Sequence, residues 1–133
     1  MKYQDQHVFK SKAAPKPGRL LLSDPHLNED FFKRAAVLLV AHDPTESFGL
    51  VLNHKSDLLL SDIFEHTELD LPIFNGGPVE QEQLFYLHRF ADITDATKVT
   101  EHLYFGGDWK EVLLQTHLLP KPQTHLRLFA GYA

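Results

Sequence analysis

Cysteine is absent from the 133 residues, which excludes disulfides, thiol nucleophiles and cysteine-ligated zinc. Long hydrophobic runs are missing too. The longest uncharged apolar stretch, Ala35 to Ala41, falls far short of the ~20 residues a helix needs to cross a bilayer. The start of the chain, MKYQDQHVFKSKAAPKPG, has no apolar core of the secretory kind. A cytoplasmic protein without membrane contact is therefore expected. Basic charge is in short supply: 13 Lys and Arg against 18 Asp and Glu give a formal charge of −5. That balance argues against direct nucleic-acid binding, which usually shows a basic stripe. Lys10, Lys12, Lys16 and Arg19 make only a loose cluster, and a solvated arm explains it more simply than a phosphate grip.

What is present is globular in kind. Hydrophobic residues at 43% and charged residues at 23% suit a single soluble domain of this length. Residues 1–17 read as a flexible N-terminal arm, because Pro15 and Pro17 block helix and strand pairing. Residues 18–133 then read as one domain. Arg19 to Ser23 predicts a strand, Asn28 to Arg34 a short helical turn, and Ala35 to Ala41 a central strand covered on both faces. Phe48 to Asn53 follows as its antiparallel neighbour. Leu60, Ile63, Phe64 and Thr67 stand at i, i+3, i+4 and i+7, the spacing of a helix face. Leu71 to Asn75, Gln83 to Phe90, His102 to Phe105 and His125 to Gly131 predict further strands, with Asp92 to Thr100 a loop or helical turn. Asp108 to Glu111 resembles a capping box opening a helix that buries Trp109, Val112, Leu113 and Thr116. Strands and helices interleave without a regular βαβ period. The fold class is α+β: a layered sandwich with a mixed, largely antiparallel sheet and two or three short helices.

Candidate chemistry gathers at strand ends. Gly76-Gly77 and Gly106-Gly107 each follow a strand and precede a possible helix start. Glycines there either expose N–H groups to an anion or permit a positive φ or close backbone approach. Ser23, Asp24 and His26 sit within four residues, as do His42 and Asp43, but neighbours on a tight turn rarely assemble a triad, and side-chain bonds that fix the turn explain them better. Asn53 ends its strand and can bond neighbouring loops. His26, His42, His54 and His88 would meet at a metal only if the fold joined them, and no HExxH pair occurs; no metal and no cofactor is expected. Of His88 and Arg89, one should point to solvent.

The ordered blocks GRLLLSDPHL, FFKRAAVLLVAHD, FGLVLNH, FNGGPV, LFYLHR, LYFGGDW and LRLFAGYA together resemble the AlgH/YqgE family of bacterial proteins. The resemblance runs from Gly18 to the end. It implies an α+β sandwich in a bacterial cytoplasmic protein, carries the label of a transcriptional regulator, and offers no agreed catalytic residues. Two departures stand out. Many members have Ser-Val where this chain has Ala35-Ala36, and small residues before Gly where it has Ser47-Phe48-Gly49. Members also continue past Gly131-Tyr132-Ala133, so the resemblance implies a C-terminally short chain. The functional expectation is a regulator acting indirectly through a protein partner rather than an enzyme. Two alternatives stand beside it: a small-ligand binder or enzyme using Ser23, Asp24, His42, Asp43, Asn53 and the two Gly-Gly turns, or a direct DNA-binding regulator. Oligomeric state is not legible.

Overall fold

The computed structural model describes residues 9–10, 17–23, 35–42, 47–64 and 67–133. The Asn28 to Arg34 turn, with Asp24, His26 and Asp43, lies outside them. Strand β3 (Ala36–His42) pairs with β2 (Leu20–Ser23) on one side and β4 (Ser47–Val51) on the other, both antiparallel. Its uninterrupted apolar sequence suits this place, since Val37, Leu38, Leu39 and Val40 are all buried. A two-residue strand β1 (Phe9–Lys10) pairs with Ser23 and Leu22 of β2 and completes a four-stranded antiparallel sheet. The arm therefore joins a sheet at these two positions, because the prolines that would forbid pairing come later, at 15 and 17.

The second sheet has six strands in the order β5 (Lys55–Leu59), β6 (Pro72–Asn75), β10 (Leu126–Tyr132), β7 (Val79–His88), β9 (Leu103–Phe105) and β8 (Thr97–Thr100). Only the β6–β10 pair is parallel. Two of these strands correct the sequence reading. Thr97–Thr100 is a strand rather than part of a loop or helical turn, and Lys55–Leu59 is a strand where the sequence reading placed none. Both occupy sheet edges, where solvent meets most side chains and no apolar alternation is required; on β8 only Val99 is buried. Ser56 ties β5 to its neighbour, its Oγ donating to Ile73 O at 2.6 Å. The predicted helix at Leu60 shrinks to one turn, α1 (Leu60–Ile63). Leu60 N–H is held by Leu71 O at 2.8 Å, and Phe64 leaves the turn in extended conformation to meet Trp109, ring to ring at 5.6 Å. Helix α2 (Trp109–His117) follows its capping signal: Asp108 Oδ1 accepts Glu111 N–H at 3.1 Å.

Three layers result. On β7, Phe85 and Leu87 face the small sheet while Leu84 and Tyr86 face the helices, as the pleat requires. Between the sheets lie Leu38, Val40, Leu50, Leu87, Val99 and Phe129. Between the large sheet and the helices lie Leu60, Ile73, Val112, Leu126 and Leu128. A bulge between Ala130 and Tyr132 resets the alternation of β10. Tyr132 thereby returns to the inter-sheet side and stacks on Phe48 at 4.4 Å.

Candidate functional site

The two Gly-Gly turns do different jobs. Gly76 N–H bonds to Ala130 O at 2.9 Å, and Gly76 O accepts Val51 N–H at 2.8 Å. Gly77 lies against the end of β10, where a Cβ would stand 2.0 Å from the carbonyl carbon of Tyr132. This turn is a place where three backbones pack. Gly106-Gly107 is instead gripped by side chains from the neighbouring strand. Gly106 N–H bonds to Tyr86 O at 3.0 Å, His88 Nε2 meets Gly106 O at 2.7 Å, and Tyr86 O–H donates to Gly107 O. Strands β10 and β7 separate the two turns, so they do not form a joint site.

His88 is the most buried titratable side chain described, at 1% exposure. Its Nδ1 accepts Phe90 N–H at 3.2 Å, which leaves the proton on Nε2 to donate to Gly106 O. Burial pushes its pKa below the ordinary 6.5, and the Gly106 bond only partly offsets this. Burial, with the nearby Asp108 charge, pushes the Tyr86 phenol above its ordinary 10. Both groups keep fixed protons on backbone partners. Arg89 is the member of the His88–Arg89 pair that faces solvent.

The remaining sequence candidates are spread out. Ser23 ends β2 opposite Phe9, and His42 ends β3 opposite Ser47. Asn53 Oδ1 accepts Ala36 N–H at 2.9 Å, so it pins the start of the central strand. Among the described residues no three His, Asp or Glu side chains gather as a metal set.

The structure also shows a cleft that the sequence did not announce. It opens between the sheets with a volume of about 360 Å³. Its floor is leucine from both sheets, and Arg89, His125 and Arg127 stand at its rim. The 3-10 turn Pro122–Thr124 forms one lip through Gln123 and Thr124. The only signal in the sequence was the solvent-side arginine on each of two apolar strands, and pairing of those strands is a long-range fact.

Fold and site together define a three-layered α+β protein in which buried His88 and half-buried Tyr86 bond the backbone, with an open cleft between its sheets. The chain belongs to the AlgH-like family, which matches residues 20–133. It is 34% identical to a UPF0301 protein of Bacteroides thetaiotaomicron, a match covering 97% of this chain and 68% of that relative. The solution structure of the AlgH protein from Pseudomonas aeruginosa is similar with a TM-score of 0.66 at 25% identity, over 93% of this chain and 70% of that one. The crystal structure of DIP2367 from Corynebacterium diphtheriae shares the fold, with a TM-score of 0.71 at 24% identity over 93% and 68% of the two chains. Among the described residues no helix is long and apolar enough to cross a membrane.

Proposed function

We propose that this protein is a binding module that acts on gene expression indirectly, through a protein partner, and that helix α2 meets the partner. One observation carries the reading. Leu114 and Leu118 stand one helical turn apart with 67% and 79% of their surface in water, while Val112 and Thr116 point inward. Exposed Lys110, His117 and Lys121 flank them. This exposed apolar pair, edged by Lys110 and Lys121 but also by Glu111 and by Asp92, which Gln115 holds at 2.9 Å, fits a partner that presents an apolar ridge with a mixed polar rim. The fixed protons of His88 and Tyr86 favour binding over acid–base chemistry.

The test compares the full chain with a Leu114→Ser/Leu118→Ser variant, each used to capture proteins from a bacterial cytoplasm. A protein retained by the first, free of nucleic acid and lost by the second, is the expected result. Equal retention by both places the contact elsewhere. A sequence-selective DNA complex of the purified protein that weakens steeply with salt overturns the indirect route.

A second reading, a small-ligand binder, is favoured by the cleft between the sheets.

A further inference from the structure

The cleft lies on the face of the large sheet opposite α2, so what it holds is independent of the partner surface. Leu20 and Leu38 come from the small sheet, Leu52 from the turn after β4, and Leu87 and Leu103 from the large sheet. The floor is aliphatic on both walls.

Among the described residues, the charges at the rim are of one sign. Leu87 pairs with Arg127 across the β7–β10 ladder, and Arg89 N–H bonds to His125 O at 3.0 Å. Arg89 and Arg127 thus stand at diagonal register positions on one face of the large sheet. Arg127 donates one N–H to Leu52 O at 3.2 Å and lies over the Phe74 ring at 4.5 Å. A guanidinium has five N–H donors, so this leaves capacity. Among the described residues no aspartate or glutamate lines the cleft, in a chain whose net charge is −5. An anion at the mouth would meet cationic side chains without a carboxylate among the described lining residues, and the leucines beneath them accept a chain.

We propose that this cleft binds an aliphatic carboxylate of medium chain length, with the carboxylate on Arg89 and Arg127 and the hydrocarbon chain over the leucine floor. The volume of about 360 Å³ is at the small end of ligand pockets, roughly 300–1,000 Å³. It suits a single short chain and not a phospholipid. Arginine is the residue fitted to such a head, because its planar fork meets both carboxylate oxygens.

Calorimetric titration of the full chain with hexanoate, octanoate and decanoate tests the proposal, with decylammonium as the charge-reversed control. Affinity should rise about fourfold per added methylene, the ratio that corresponds to ~0.8 kcal/mol of buried CH₂. Decanoate should bind at least tenfold more tightly than decylammonium. Arg89→Gln removes an exposed charge and should weaken decanoate about tenfold. Leu20→Glu, at a position 52% exposed, sets a like charge at the mouth and should abolish binding, with the circular dichroism spectrum unchanged. The Leu114→Ser/Leu118→Ser variant should bind decanoate as the parent does, so this test and that of the partner surface fail separately. Equal binding of decanoate and decylammonium, or no binding by folded protein, overturns the proposal. So does a dimer that Leu20→Glu dissociates, since a second copy would then occupy the cleft.

Discussion

His88 shows how a residue that looks chemical in a sequence is spent on structure. A neutral imidazole has one donor and one acceptor, and both are used here, on Gly106 O and Phe90 N–H. The linkage has a definite sign. Folding depresses the His88 pKa, so below about pH 6.5 the unfolded chain binds the proton more readily than the folded one. The stability this residue contributes is whole above that pH. It declines as pH falls from about 6.5 to the lower folded-state pKa, then levels off. The chain carries nine histidines, so the effect of His88 is isolated by difference. His88→Gln, which cannot titrate, should cost about 1–3 kcal/mol at pH 8 through disturbed buried hydrogen bonds. Urea midpoints at pH 8, 6.5 and 5 should show the gap to the parent closing as pH falls. A gap that stays constant with pH would mean that His88 is not held neutral.

At the scale of elements, the two Gly-Gly turns should respond differently to the same substitution. Gly106 has a φ of +69°, and a Cβ there would meet nothing within 4 Å. Gly106→Ala should therefore cost only the backbone strain of a left-handed residue, about 1–2 kcal/mol. A Cβ on Gly77 would overlap the Tyr132 carbonyl and come 2.3 Å from Ala133 N. Backbone atoms cannot swing aside, so Gly77→Ala should cost ~3 kcal/mol or more. Chemical denaturation of the two variants side by side checks the order, and equal losses would sink the distinction. The sequence identified both turns but could not separate a close approach from an open one, because the second backbone comes from β10, some fifty residues downstream. The same boundary runs through the fold. Ala35 to Ala41, the alternation before His88 and the Asp108 cap were legible because each depends on a local pattern. The edge strands β5 and β8 were not, since an edge strand half in water carries little pattern of its own. The one-turn α1 also departed from its helical spacing, because Leu71 and Trp109 supply partners that the local sequence does not contain. The cleft was illegible for a related reason: its walls come from five strands and two sheets.

At the scale of the whole molecule, β10 binds the layers together. It pairs with β6 and β7, buries Leu128 toward the helices and Phe129 toward the small sheet, and its end reaches β4 through Ala133 N–H to Gly49 O at 2.9 Å. Gly76 O holds Val51 of the same strand. A small sheet tied by its backbone to the large one should not unfold alone. The single tryptophan makes this measurable, since Trp109 packs on the helix side of the large sheet, and Leu50 is buried on the other. Leu50→Ala removes side-chain volume from the inter-sheet core and should cost about 2–5 kcal/mol. If the three layers form one cooperative unit, the unfolding midpoint read by Trp109 fluorescence should fall by the same amount as that read by far-ultraviolet circular dichroism. A Trp109 transition that stayed at the parent midpoint while the dichroism shifted would show that the small sheet opens independently. The mouth of the cleft would then widen on unfolding of that sheet alone, and the leucine wall that Leu20 and Leu38 supply would be a movable one.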